Sequence, residues 1–261
     1  MQLLPKLSEL NASVASAGGV PCTPEEEAWL RDAAGILADT SRYHSSKVSP
    51  AALAPFNAKI LGWPTSHLFP ALDYLRVAVT HASGAEAVAA MPALLPALFR
   101  VAGGAGEAER PAALLACRVL FNMLKASATR ALALRNLGGV IGATAALLRY
   151  AHPSVQVGAS VVLHNLARAL SDGLGAALAA SSPSDFGALG ALLAQGLASS
   201  EEDARLNTLL ALGTLLYCDA EAGKTWLAAA RAAGLEGSVA ALVSGKTEAA
   251  AKEVLRLMEL A

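Results

Sequence analysis

LDYLRVAV (72–79), LFNMLKAS (120–127), LHNLARAL (163–170) and LGTLLYCD (212–219) are the four segments on which the fold turns. Superposed, they bring Tyr74, Asn122, Asn165 and Thr214 into one column, with successive separations of 48, 43 and 49 residues. HEAT and armadillo units of two or three helices recur at about 40–47 residues, so the spacing predicts such a repeat with slightly long turns at either end. The first segment is helical by its own pattern. Leu68, Leu72, Leu75 and Val79 make one apolar stripe along a helix ending near His81.

The same grammar extends outward along the chain. Thr23, Pro24 and Glu26 supply an N-cap, an N1 proline and a capping-box glutamate, which start a helix running to about Ala38. Thr40 to Pro50 is polar and turn-forming, and Pro50 opens a helix through Ile60 and Leu61 before Trp63 and Pro64 break the chain. Further helices are predicted near 86–101, 109–126, 129–148, 153–171, 173–181, 185–198, 201–217, 219–232, 235–243 and 247–260, with Gly or Pro between most neighbours. Residues 1–20 read as a linker or a helix leading into the domain, and residues 21–261 as the repeat domain itself. The expected class is all-α, an armadillo/HEAT-like helical repeat, or α-solenoid.

Composition supports this class and excludes others. With 54% hydrophobic and only 16% charged residues, the chain has ample material for a core and is no disordered segment. Ala and Leu dominate, aromatics are 5%, and β-branched residues are sparse, which favours helix over sheet. Lys and Arg (20) balance Asp and Glu (21), so no global field draws the chain to nucleic acid or to an anionic membrane. Every apolar run is interrupted: Ala85 to Val101 by Glu86, Pro92, Pro96 and Arg100, and Thr208 to Cys218 by Asp219. Met1 to Val20 lacks the long apolar centre of a signal peptide. Cys22, Cys117 and Cys218 form neither a disulfide framework nor a CxxC site, and a reducing compartment, cytoplasmic or also nuclear, is expected.

Chemistry has few candidates. His44, His67, His81, His152 and His164 show no HExxH and no metal-ligand spacing, and Gly103-Gly104 and Gly138-Gly139 lack the strand and lysine of a phosphate loop. Cys117 with His164 is conceivable as nucleophile and base, but a cysteine inside an apolar helix reads as inert core. The expectation is a protein with no catalytic residue, metal or cofactor.

Charges set beside apolar stripes say more, because a charge is costly to bury without a partner. Arg76 either pairs with Asp73 at i,i+3, which contributes about 0.2–0.5 kcal/mol, or faces a binding surface. Arg205 poses the same choice, with Glu201 as its local partner. Asn122 and Asn165 recur at the repeat spacing inside hydrophobic helices, where an amide needs a hydrogen-bond partner. A ladder of such amides can hold the backbone of an extended peptide, or each can bond a neighbouring carbonyl and stabilise the stack.

Four stretches, SHLFPALDYLRVAVTH (66–81), LLACRVLFNML (114–124), ARLNTLLALGTLLY (204–217) and AAKEVLRLMEL (250–260), resemble the PUL domain. This is the C-terminal armadillo-type domain of the phospholipase-activating protein family, found also beside thioredoxin or PPPDE-type isopeptidase domains. The resemblance spans roughly residues 20–260, and FPALDxLR and RLxxLLALGTLL are its most specific parts. It implies an adaptor whose concave basic groove binds the acidic C-terminal tail of the hexameric AAA ATPase segregase, valosin-containing protein, in ubiquitin-dependent protein handling. It also implies that two arginines, matched here by Arg76 and Arg205, take the tail's carboxylates, as a planar guanidinium can do bidentately. Asn122, Asn165 and Arg118 join the expected binding set through the repeat alignment. The sequence carries neither WD40 repeats nor a ubiquitin-binding domain, so it reads as a fragment beginning at an added Met1, and as a monomer. The alternative is a structural or dimerisation repeat of a larger protein.

Overall fold

In a computed structural model of the chain, residues 4–39, 41, 45–104, 106–172, 183–217 and 220–260 are described, and they form helices and turns with no strand among them. The chain divides into two compact units, Met1–Leu132 and Ala133–Ala261. No single described helix is long and apolar enough to cross a membrane.

The first unit holds α1 (Leu4–Ser13), α2 (Pro24–Ala38), α3 (Pro50–Ala58), α4 (Phe69–Ala78), α5 (Ala82–Ala89), α6 (Leu94–Gly103) and α7 (Arg110–Met123). The expected capping box of α2 is present: Glu26 N–H donates to Thr23 Oγ1 at 3.2 Å, and Thr23 N–H donates to Glu26 Oε2 at 2.7 Å. Lys59 also donates to Glu26 at 2.6 Å, and these two hydrogen bonds, Lys59's first, hold the Glu26 carboxyl below its usual range. Leu68, Leu72, Leu75 and Val79 are all fully buried, so the stripe read from sequence is the core face around α4. Tyr74 lies in that core too, tilted against Phe56 at 4.9 Å with its hydroxyl donating to Leu30 O at 3.0 Å.

Several boundaries differ from expectation. The single helix expected over 86–101 is two, α5 and α6, separated around Pro92, whose ring cannot continue the α-helical hydrogen-bond ladder. Pro96 is tolerated inside α6 because it stands in the first turn, where N–H groups have no intrahelical partner. The helix opened by Pro50 ends at Ala58, and Ile60–Gly62 continues as a 3₁₀ turn. Gly84 near the start of α5 is required by space, since a Cβ there would lie 2.3 Å from the carbonyl oxygen of Ala78. Backbone cannot yield as a side chain does, so Gly84→Ala should cost about 2 kcal/mol in chemical denaturation.

The helix expected over 129–148 is likewise two: α8 (Ser127–Arg135), within which the units divide, and α9 (Leu137–Leu148). Asn136 between them leaves helical geometry, at φ −117° and ψ 35°. The second unit continues with α10 (Pro153–Asp172), α11 (Pro183–Leu197), α12 (Glu202–Leu216), α13 (Ala220–Ala232), α14 (Leu235–Ala240) and α15 (Glu248–Leu260). Here α10 packs along α12 and α12 along α15, while α9 and α11 pair with each other. The close approach of α11 and α12 depends on Gly196, where a Cβ would lie 2.4 Å from Thr208 Oγ1. The helix expected over 173–181, and the side chains of His44 and Cys218, lie outside the described residues.

Candidate functional site

In the first unit the candidate residues lie on α4 and α7, which pack against each other. Arg76 is paired with Asp73 as its i,i+3 spacing allowed: Asp73 Oδ1 accepts from Nε at 2.7 Å and from Nη2 at 2.6 Å. The environment makes this pair unusual, because the Asp73 side chain is 6% exposed and that of Arg76 34%. The guanidinium therefore neutralises a buried carboxylate through one edge while the rest of it meets solvent. Asn122 Nδ2 donates to the carbonyl of Arg76 at 2.8 Å. Arg76 stands in the last turn of α4, where carbonyls lack intrahelical donors, so an amide from the next repeat supplies the missing bond. Arg118, one turn earlier on α7, is exposed.

In the second unit Arg205 stands in the second turn of α12, and Glu201 is not its partner. Its Nη1 donates to the carbonyls of Ser199 at 2.8 Å and Ser200 at 2.9 Å, and its Nε is buried without a hydrogen-bond partner. The nearby acids are turned elsewhere. Glu201 accepts from the Ser200 hydroxyl at 3.3 Å, Glu202 accepts from Lys246 N–H at 2.9 Å, and Asp203 pairs with the Lys246 side chain. Carbonyl dipoles orient a guanidinium but do not cancel its charge, and the positive end of the helix dipole adds to it. Asn165 bonds within its own helix, Nδ2 to Val161 O at 2.9 Å.

Sequence reasoning missed some of the polar ties. Asn207 Nδ2 donates to Ser160 Oγ at 3.0 Å and joins α12 to α10 across the packed pair, the role that Asn122 plays between α7 and α4. The superposition placed Tyr74 with Asn122, yet Tyr74 faces the core and Asn122 is half-buried at the helix seam. The second unit also exposes two large side chains, Leu210 on α12 (41% exposed) and Tyr217 just past its end (80%). They edge a groove of about 360 Å³ between α12 and α15 that is also lined by Thr214 and Leu257.

Cys117 is fully buried, and burial pushes its thiol up to about 12, the opposite of what a nucleophile needs. Burial, with the charge of Arg168, lowers the His164 pKa. Among the described residues no group of three or more His, Cys, Asp or Glu side chains is placed to hold a metal ion.

Solved structures of armadillo repeat proteins share this fold. A designed armadillo repeat protein aligns over 98% of this chain and 99% of its own with a TM-score of 0.63 and 16% identity. Computationally designed armadillo repeat proteins for modular peptide recognition align over 98% of both chains with a TM-score of 0.64 and 17% identity. An engineered protein aligns over 100% of both chains with a TM-score of 0.65 and 17% identity. Among curated proteins none matches. The class is thus an armadillo-type helical repeat, a protein-binding module. More specifically, the chain belongs to the PUL domain family, whose model matches residues 1–257.

Proposed function

We propose that this PUL domain is an adaptor that binds the acidic C-terminal tail of the segregase valosin-containing protein, with Arg205 in the second unit and Arg76 in the first each taking a carboxylate. The observation that carries the reading is Arg205: a half-buried guanidinium held by two carbonyls, with a buried Nε left unbonded and every nearby acid committed elsewhere. Such a group is pre-oriented for an anion, and a carboxylate reaching it forms charge-assisted hydrogen bonds. Membership of the PUL family supports the choice of partner. We place the domain in the cytoplasm or nucleus, as a monomer with no catalytic role.

Calorimetric titration with a peptide copying the segregase tail tests this. Micromolar binding is expected, and Arg205→Ala should weaken it about tenfold, roughly 1.4 kcal/mol. Unchanged affinity in Arg205→Ala would sink the assignment of that residue, and no binding to folded wild-type protein would sink the partner.

A second reading is favoured by one observation. Because Arg76 neutralises the buried Asp73, its presence is accounted for by stability alone, and the repeat would then act as a structural or dimerisation element. Light scattering that shows a dimer, together with a tail affinity insensitive to both arginines, would establish this reading instead.

A further inference from the structure

The outer face of α2 carries two residues that the fold does not use. Trp29 is 40% exposed, whereas the other two tryptophans, Trp63 and Trp226, are buried. A large ring left in water forgoes the burial that normally recovers its apolar area. Asp32 stands in mid-helix, where aspartate is a poor helix former and is too far from the N-terminus to complement the dipole. It is exposed, and among the described residues no hydrogen bond or ion pair holds it. The acids of the first turn are mostly spoken for: Glu26 closes the capping box and takes Lys59, and Glu27 accepts from Asn11 Nδ2 at 2.7 Å. Glu25 is exposed and, like Asp32, has no partner among the described residues. Glu25, Trp29, Asp32 and Ile36 are spaced i, i+4, i+7 and i+11, so at roughly 100° per residue they fall within about 60° of one another around the axis. The buried residues of the helix, Leu30, Ala33, Ala34 and Leu37, centre about 120° away, and Arg31, its one cation, lies on the other flank.

We infer that the Glu25–Trp29–Asp32 stripe of α2 is a docking site for a basic, arginine-bearing segment of another protein, with one guanidinium stacked on the Trp29 indole and bonded to Asp32 and a second cation meeting Glu25. Charge complementarity selects this occupant. An indole with an uncompensated carboxylate one turn to either side attracts a cation both through the ring's quadrupole and through the flanking charges. Arginine suits it better than lysine, because a planar, weakly hydrated guanidinium can stack on the ring and bond a carboxylate at the same time. Glu25 and Asp32 are about 10 Å apart along the axis, a span that an extended segment covers in about three residues. The same carboxylates repel phosphate backbones and anionic lipid headgroups. A second copy of this chain is disfavoured by area: one stripe of four side chains offers on the order of 300 Å², well short of the roughly 800 Å² per partner of a stable interface. The site uses none of the residues of the acidic-tail reading and does not depend on it.

The test uses the whole chain and fluorescence anisotropy with three labelled peptides: one alternating Arg and Ser, one of equal length alternating Lys and Ser, and the segregase tail. The Arg peptide should bind with a Kd on the order of 100 µM and the Lys peptide about threefold more weakly. Trp29→Ala should weaken binding of the Arg peptide about fivefold, Trp29→Phe about twofold and Asp32→Asn about threefold, and Trp29→Ala combined with Asp32→Asn about fifteenfold. Thermal melts of these variants should match wild type, since both side chains are exposed, and their affinity for the tail should be unchanged. A double variant that loses the Arg peptide establishes the site, and it does so even if the tail fails to bind wild type, which would sink the segregase reading alone. Equal Arg-peptide affinity in wild type and the double variant, no binding of the Arg peptide to folded wild-type protein, or a tail affinity that falls with Trp29→Ala overturns the inference. A dimer in light scattering that Trp29→Ala dissociates would give the face to a second copy and overturn it as well.

Discussion

Trp63→Ala should destabilise the first unit by about 3–5 kcal/mol, the cost of deleting a buried tryptophan when the walls of the cavity collapse only in part. The physical reason is that Trp63 does more than fill space. It is 1% exposed, and its indole Nε1 donates to the carbonyl of Val20 at 2.8 Å, fixing the segment that leads from α1 into α2. Its own carbonyl accepts from Arg100 Nη2 at 3.0 Å, and the same nitrogen donates to Leu61 O at 2.7 Å. One arginine on α6 thus ties off the 3₁₀ turn that carries the tryptophan. Trp63→Phe, which keeps most of the ring but loses the indole N–H, should cost distinctly less, about 1–2 kcal/mol for the orphaned carbonyl and the lost volume. Urea denaturation followed by far-UV circular dichroism checks both, and a Trp63→Ala midpoint equal to wild type would contradict the account.

Arg76→Ala should also destabilise, by about 2–3 kcal/mol, below the 3–5 kcal/mol of a fully buried pair because the guanidinium is partly solvated. The loss arises from what stays behind: a carboxylate at Asp73 that is 6% exposed and has lost its counter-ion. Replacing both partners, Asp73→Asn with Arg76→Gln, should recover most of the stability, since a neutral amide pair leaves no uncompensated charge. The distinction matters for function. A binding defect in Arg76→Ala alone is ambiguous between a lost contact and a loosened α4, whereas a defect that persists in the stable double variant reports a contact. If Arg76→Ala unfolds at the wild-type midpoint, the pair contributes nothing and the structural reading of Arg76 fails.

Much of the fold was legible because it is written in local terms. The Thr23-Pro24-Glu26 start, the Leu68-Leu72-Leu75-Val79 stripe and the 40-to-50-residue spacing each follow from sequence within one or two repeats, and each reappears in the structure. The breaks inside 86–101 and 129–148 were harder. Pro92 was visible, but Asn136 leaves helical geometry where nothing in its own sequence compels it. The candidate site was legible in residue identity and opaque in partnership. Arg76 met the local acid that its spacing offered, while Arg205 bonds two carbonyls and not Glu201, which accepts from Ser200, and the next two acids, Glu202 and Asp203, are drawn to Lys246 more than 40 residues later. The two asparagines also diverged: Asn122 reaches a neighbouring helix and Asn165 its own. A single column in a repeat alignment cannot show which way an amide turns.

The tie from Arg100 to the carbonyls of Leu61 and Trp63 has a consequence for how the polypeptide is made. A ribosome releases the chain from its amino end, and the corner at Trp63 emerges well before the side chain that fastens it. Until α6 has cleared the exit tunnel, the residues before it hold a large aromatic group in a turn whose carbonyls have only water to bond. Nascent chains stopped short of Arg100 should therefore be protease-sensitive around Trp63, and those extended past α6 resistant, so that the amino-terminal unit closes in one late step.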